Sequence, residues 1–180
     1  MKRFQDKERM MRKITDIAVM VLRFLSPGRL MLPPPPNDEW FTLRVDNNIN
    51  PMDVVAMSVS RGPRGWKYLG PAVAGKQTYH AKLVCLGACR NLAEARERAE
   101  KIGCRLLEGQ AREPFKKRFS AQDNRGPIVF GGSVWESPEG NRQVAALRYL
   151  PSEWDSSFGL AGKDDHFGEE CRWVVASTSS

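Results

Sequence analysis

The fold is decided by the stretch from Gly126 to Leu150, GPIVFGGSVWESPEGNRQVAALRYL. Its first half contains the short apolar run Ile128–Phe130, then the turn-forming residues Gly131–Ser133 and the β-prone pair Val134–Trp135. Apolar and aromatic residues on either side of a glycine-rich turn are typical of a β-hairpin. This half therefore predicts two short strands joined by a turn.

The second half of the stretch changes to a helical pattern. Pro138–Asn141 is a polar loop, in which Gly140 supplies backbone freedom and Asn141 is a suitable helix N-cap. A helix is predicted to follow, with an apolar side made of Val144, Ala145, Leu147 and Leu150. The free amides of its first turn, its dipole and the guanidinium of Arg142 would together hold a phosphate.

These residues resemble the sequence box of the ParB/sulfiredoxin superfamily. In that box a glycine, then Glu, His or Asn, then two arginines open a helix of the type Val-Ala-Ala-Leu. The matching residues are Gly140, Asn141, Arg142 and Val144–Leu147, and Gly126–Val129 matches the strand that usually precedes them. Gln143 replaces the second arginine. Ser133 replaces the reactive cysteine of the sulfiredoxin branch, which argues against sulfinic acid reductase chemistry because a hydroxyl is a weaker nucleophile than a thiolate.

The resemblance implies an α+β fold with a small ParB/sulfiredoxin-like mixed sheet and flanking helices. It implies a DNA-directed protein with nucleotide hydrolysis and DNA cleavage, and ATP and Mg²⁺ as cofactors. It also implies the role of a plasmid fertility-inhibition factor, which blocks conjugative DNA transfer by acting on components of the transfer apparatus. The implied catalytic residues are Glu136, Glu139 and Arg142, and the implied cofactor-binding residues are Gly140, Asn141 and Arg142.

Charge gives independent support for a polyanionic partner. The 180 residues include 28 Lys and Arg against 21 Asp and Glu, so the formal net charge is +7. A net positive charge favours DNA as the binding partner. The alternative is that the charge only keeps the protein soluble. With 41% apolar and 27% charged residues, the composition is that of an ordinary globular domain.

Two basic segments are candidate nucleic-acid contacts. The glycine-rich loop Arg61–Tyr68 interleaves cations with Trp66 and Tyr68, which suits phosphate contacts and base stacking. The alternative is that these two aromatic residues belong to the core. The second segment lies in Cys104–Arg125, which separates the predicted helix from the Gly126–Val129 strand, so either the alignment with the superfamily is loose or this chain carries an insertion. The candidate residues are Arg61, Arg64 and Lys67 in the first segment and Lys116, Lys117 and Arg118 in the second.

Capping and periodicity predict most of the other elements. Asn91 is expected to cap a helix, with Glu94 three residues on and Gly103 at its end. Runs of β-prone residues predict strands at Trp40–Val45, Val54–Val59, Tyr79–Leu86 and Cys171–Ala176.

Residues 1–36 are predicted to precede a main domain that covers residues 37–180. Residues 2–25 have the pattern of a basic amphipathic helix, and Pro33–Pro36 is a stiff spacer. This helix could pack on the main domain, dock on a partner protein or lie on an anionic membrane surface. Its apolar run Ile17–Leu22 is too short to cross a bilayer, so no transmembrane segment is predicted.

The cysteines indicate a cytoplasmic protein with reduced thiols, because no signal peptide precedes them. Two metal sites are alternatives to buried thiols and solvated carboxylates. A zinc site would use His80, Cys85, Cys89, His166 and Cys171, and a divalent-ion site would use Asp155, Asp164, Asp165, Glu169 and Glu170.

A second hypothesis competes with the enzyme. The protein would then be a non-catalytic inhibitor or adaptor that binds nucleic acid or protein through its basic helix and loops. This hypothesis predicts tight association without turnover, whereas the enzyme hypothesis predicts DNA cleavage or phosphate release.

Overall fold

The computed structural model describes residues 36–120, 126–150, 153–162 and 165–178. All of them fall within one compact unit. The predicted N-terminal helix at residues 2–25 and the carboxylate of Asp164 lie outside the described residues. The division of the chain near residue 36 therefore stays a prediction.

Eight strands and three α-helices make up the described part of the chain, which confirms an α+β fold with a mixed sheet. The strands are β1 (Trp40–Asp46), β2 (Lys67–Tyr68), β3 (Lys76–Cys85), β4 (Cys104–Leu106), β5 (Ile128–Glu136), β6 (Arg142–Leu150), β7 (Glu153–Leu160) and β8 (Arg172–Ser177). The helices are α1 (Pro51–Ala56), α2 (Leu92–Lys101) and α3 (Arg112–Arg118), with a 3-10 turn at Gly109–Ala111.

All eight strands belong to one sheet with the order β1-β3-β8-β5-β6-β7. Strand β2 pairs with β5, and strand β4 pairs with β8. The β5–β8 pair is parallel, and the other pairs are antiparallel. The sheet therefore has β1 and β7 at its two ends.

The two faces of the sheet bury different side chains. On the aromatic face, α1, the 3-10 turn and α3 cover a core rich in Phe and Trp, with Phe115 of α3 among its fully buried residues. On the α2 face, Leu92, Ala95 and Ala99 of α2 pack against strands β3, β5, β6 and β8. Helix α2 forms where it is predicted, since Asn91 Oδ1 accepts a hydrogen bond of 3.0 Å from the Glu94 amide.

The helix predicted after Asn141 is wrong, because Arg142–Leu150 is strand β6. Four consecutive residues, Val144–Leu147, are buried. A helix seldom buries four residues in a row, whereas a strand inside a sheet with both faces covered does so routinely. Pairing with β5 on one side and β7 on the other thus overrides the helical propensity of the Ala-Ala-Leu run.

Two further local predictions are wrong. Residues 54–56 of the predicted strand Val54–Val59 belong to α1, which begins with Pro51 and is capped by Asn50 Oδ1 at 2.9 Å from the Met52 amide. The predicted hairpin within residues 128–135 is a single strand, β5, whose register with β6 shifts between Phe130 and Trp135.

The segment Cys104–Arg125, predicted as an insertion, supplies β4, the 3-10 turn and α3. Its buried residues include Leu107 and Phe115, so it is part of the core. None of the helices among the described residues combines the length and the apolarity needed to cross a membrane.

Candidate nucleic-acid interface

The tip of the β5–β6 hairpin carries the residues that the sequence singled out for phosphate. The last pair of the hairpin joins Glu136 and Arg142. In the turn, the Ser137 amide donates to the Asn141 carbonyl and the Gly140 amide donates to the Ser137 carbonyl, each at 2.9 Å. Gly140 has φ of 81°, which favours glycine. The amides of Ser137 and Gly140 thus close a turn instead of opening a helix towards a ligand.

Both predicted catalytic carboxylates already have partners. Glu136 accepts a hydrogen bond of 2.9 Å from Lys67 Nζ, and this bond and the charges of Lys67 and Arg142 lower the pKa of Glu136. Glu139 accepts a bond of 2.7 Å from the Ser137 hydroxyl, which lowers the pKa of Glu139. Both groups are therefore ionised and accept hydrogen bonds, Glu136 from Lys67 of β2 and Glu139 from Ser137 of the turn.

These contacts do not fit a site for ATP and Mg²⁺. The implied site depended on free amides in a first helical turn and on carboxylates available to a metal. Here the chain after Asn141 is a strand, and Glu136 and Glu139 are paired with Lys67 and Ser137. Nucleotide and metal binding at this turn therefore rest on the resemblance alone.

Strand β2 brings the first basic segment to the same place. Lys67 pairs with Glu136 across β2 and β5, although the two residues are 69 positions apart. Gly65 lies against Pro138 of the hairpin tip, where a Cβ atom on Gly65 would be 3.2 Å from the Pro138 Cγ. Arg61 is close enough to contribute to the lowered pKa of Glu139.

We call this surface the basic end. Its exposed cations outnumber its carboxylates by four to two. The cations are Arg61, Arg64, Lys67 and Arg142, and the carboxylates are Glu136 and Glu139.

Trp66 and Tyr68 are packing residues of this segment. The Trp66 ring lies 5.1 Å from the Phe158 ring, and the Tyr68 ring lies 5.3 Å from the Trp135 ring, measured between centroids. Both side chains are partly buried against the core of the aromatic face. The structure therefore supports the interpretation of Trp66 and Tyr68 as core residues over that of base-stacking residues.

The second basic segment contacts other elements. Lys116 Nζ donates to the Ser156 hydroxyl of β7 at 3.2 Å, and Arg118 donates to the Thr42 carbonyl of β1. Lys117 is exposed on the same helix, α3. The structure thus joins the first basic segment to the hairpin tip through described contacts, but not the second.

Arg96 is a residue near this site that the sequence did not reveal. Arg96 and Arg142 line one cavity of about 310 Å³, beside the start of α2 and next to Val134. Arg96 Nη2 also donates to the Gly131 carbonyl at 3.3 Å. No local pattern in the sequence indicates this position, because only the packing of α2 on β5 brings Arg96 near Arg142.

Several residues of the two alternative metal sites have other partners. Among residues 36–120, 126–150, 153–162 and 165–178, no three His, Cys, Asp or Glu side chains are grouped so that they could hold a metal. Asp155 pairs with Arg148 at 3.2 Å, and His166 Nδ1 lies 3.1 Å from the Arg90 carbonyl. Burial raises the pKa of the Cys89 thiol, and it raises the pKa of Cys171 to about 11.

Gly131 and Gly132, the two glycines before Ser133, are closely packed. A Cβ atom on Gly131 would lie 2.8 Å from Leu106 Cδ1 and from Trp173 Cζ3. A Cβ atom on Gly132 would lie 2.5 Å from the Leu106 carbonyl oxygen. Gly132 therefore requires glycine, because backbone atoms of β4 and the next residues lie this close, whereas a Cβ atom on Gly131 would force the ends of the Leu106 and Trp173 side chains to shift.

Comparison with known proteins adds no relative. No protein-family model, no curated protein and no solved structure matches the chain. The likeness to the ParB/sulfiredoxin superfamily therefore remains a resemblance of the short stretch that carries it.

Proposed function

We propose that the protein binds nucleic acid without cleaving it, and that its basic end contacts the phosphates. The observation that supports this function is the meeting of two segments, the loop around Arg64 and the hairpin tip at Arg142, through the Lys67–Glu136 pair. Each segment alone carries few cations, and together they carry four exposed ones, Arg61, Arg64, Lys67 and Arg142.

The cations of the basic end suit phosphate recognition. Arg61, Arg64 and Arg142 present planar guanidinium groups, which bind phosphate through two parallel hydrogen bonds. The rigid β5–β6 hairpin and the β2–β5 pairing hold the backbones of both segments in place. Binding of this kind releases counterions and is therefore weakened by salt.

Binding is favoured over cleavage by the state of the two carboxylates. Glu136 and Glu139 are engaged with Lys67 and Ser137, and no helix begins at Arg142. DNA cleavage with nucleotide hydrolysis, and the fertility-inhibition role that blocks conjugative transfer, are what the superfamily resemblance implies. They rest on that resemblance alone.

The test measures the affinity of the full chain for labelled single-stranded and duplex DNA by fluorescence anisotropy at several salt concentrations. Replacing Arg61, Arg64 or Arg142 by Ala should weaken binding by about threefold to tenfold each. Each lost phosphate contact should also reduce the slope of log affinity against log salt by about 1. Lys101→Ala is the matched control, because Lys101 is an exposed cation on α2 that pairs with Glu97.

Two results would contradict the proposal. A triple variant at Arg61, Arg64 and Arg142 that binds as the natural chain does would remove the basic end as the site. If the natural chain cuts plasmid DNA or hydrolyses ATP in the presence of Mg²⁺, and Arg142→Ala does not, the enzyme hypothesis would replace the binding one.

A further inference from the structure

We infer that the bound nucleic acid is single-stranded and that one of its bases stacks on Trp40. This inference rests on the proposed function and adds a second surface to it, which we call the β1–β3 face. Its six side chains are Trp40, Thr42 and Arg44 of β1 and Thr78, His80 and Lys82 of β3.

The strand register places these six side chains on one side of the sheet. Trp40 is opposite Lys82, Thr42 is opposite His80, and Arg44 is opposite Thr78. The residues between them on β1, Phe41, Leu43 and Val45, point the other way and are buried in the aromatic face. Because side chains alternate along a strand, the six residues belong to the side of the sheet that α2 covers further along.

Trp40 is held in place and yet remains accessible. Its ring stacks on the His80 ring, with 4.5 Å between centroids and 27° between planes. Lys82 Nζ lies 5.0 Å from the Trp40 ring centroid and also bonds to Asp38 Oδ1 at 2.9 Å. Even so, the exposed fraction of Trp40 is 40%. An indole fixed in this way loses little side-chain freedom when a planar ligand stacks on it.

Cations continue along the same face. Arg44 lies four residues after Trp40 on β1, which is about 14 Å at the usual rise of a strand. Two residues further along β1, Lys76 of β3 is opposite Asp46 in the strand register. Exposed aromatic rings that alternate with cations suit a single strand, whose bases are free to stack while its phosphates meet the cations. A duplex keeps its bases stacked inside, so it offers no base to Trp40.

The composition of the face favours a nucleic acid over a protein partner. Protein interfaces have an apolar centre, whereas Trp40 is the one large apolar side chain among the six. The other five side chains are hydroxyl, imidazole or cationic groups, which suit sugars and phosphates.

The experiment compares binding of a labelled oligo-dT and a matched duplex to the natural chain and to Trp40→Ala and Trp40→Phe. Trp40→Ala should weaken oligo-dT binding by about tenfold, while duplex binding is unchanged and Trp40→Phe loses less. Oligo-dT should also quench tryptophan fluorescence, and this quenching should be lost in Trp40→Phe, because Trp135, Trp154 and Trp173 are buried and Trp66 is partly buried. Leu160→Ala is the matched control, because Leu160 is an exposed apolar residue on β7.

The outcomes separate this inference from the proposed function. If Trp40→Ala keeps its circular dichroism spectrum and still binds oligo-dT as the natural chain does, the stacking site is wrong while the basic end stands. If only the arginine variants of the basic end lose binding of both DNA forms, the stacking site at Trp40 is likewise wrong and the basic end stands. If the natural chain binds neither DNA form, both proposals fail.

Discussion

The two faces of the sheet differ in how completely they are covered. On the aromatic face, α1, the 3-10 turn and α3 cover residues from β1 at one end of the sheet to Trp154 of β7 at the other. On the α2 face, one helix of ten residues and the segment around Phe167 cover the middle strands. The outer side chains of β1 and β3 that stay exposed are Trp40, Thr42, Arg44, Thr78 and His80. We conclude that the aromatic face supplies most of the stability, whereas the open part of the α2 face is available to ligands.

The side chains of the two faces match this division. Phe115 of α3 contacts the rings of Phe41, Phe119, Phe130 and Trp154 at centroid distances of 4.7 to 6.4 Å. The buried residues of α2 are Leu92, Ala95 and Ala99, so small side chains set its contact with the sheet. Changes on the aromatic face should therefore destabilise the protein more than changes near α2.

The largest effect is expected for Phe115→Ala. The ring is fully buried, and its removal leaves a cavity among four aromatic neighbours. The free energy of unfolding should fall by about 3–5 kcal/mol, as measured by urea denaturation. Ile102→Ala, at an exposed residue after α2, should change it by less than about 0.5 kcal/mol. Equal losses in the two variants would show that the burial of Phe115 adds nothing to the stability of the protein.

A smaller loss is expected for Arg112→Lys. Arg112 is fully buried under the aromatic face, where its guanidinium donates to the Val54 carbonyl at 2.8 Å and to the Ser157 carbonyl at 3.4 Å. A lysine ammonium cannot span α1 and β7 in the same way, so the loss should be about 2 kcal/mol. The same exchange at the exposed Arg64 is the control and should leave the denaturation midpoint unchanged.

Asn91→Ala should destabilise the α2 face by about 1 kcal/mol, because the Glu94 amide loses its cap. Asn91→Asp keeps an acceptor at this position and should behave like the natural chain. A second readout is alkylation of Cys89 and Cys104, which are buried with α2 and should react faster in the alanine variant. Unchanged alkylation rates and an unchanged midpoint would show that the cap contributes nothing to this face.

The smallest effect concerns pH. The Arg90 amide, and then the side chains of Arg90 and Arg98, lower the pKa of Glu94 from 4.5 to about 2. A lowered pKa means that ionised Glu94 contributes stability above pH 4.5 and that this contribution is lost as the pH falls towards 2. Denaturation midpoints of Glu94→Gln should accordingly fall less over this interval than those of the natural chain. Glu100→Gln, on the same helix, should follow the natural chain, and a parallel decline in all three would disprove the assignment.

Local signals in the sequence were sufficient for some elements. The cap at Asn91 predicts α2, and the alternation in Trp40–Val45 predicts β1, because both depend on residues near each other in the chain. Asn50 followed by Pro51 is an equally local signal for α1, but the pair Val54–Val55 favoured a strand.

Long-range pairing explains the predictions that failed. Strand β6 is set by its partners β5 and β7, and its apolar run alone fits a buried strand or a helix. The candidate residues Arg61, Arg64 and Lys67 come from local composition, whereas their position beside Arg142 depends on the β2–β5 pairing. The exposure of Trp40 likewise depends on how far α2 extends over the sheet, which no local pattern indicates.

The bond from Arg118 to the Thr42 carbonyl has a consequence for self-association. Among the described strands β1 is an end strand of the sheet, and the carbonyls of an end strand can accept a strand from another molecule and start aggregation. Arg118 occupies one of these carbonyls and places a charge beside it. The hydrogen bond that holds α3 against the sheet therefore also hinders pairing of β1 with a strand of another molecule at high protein concentration.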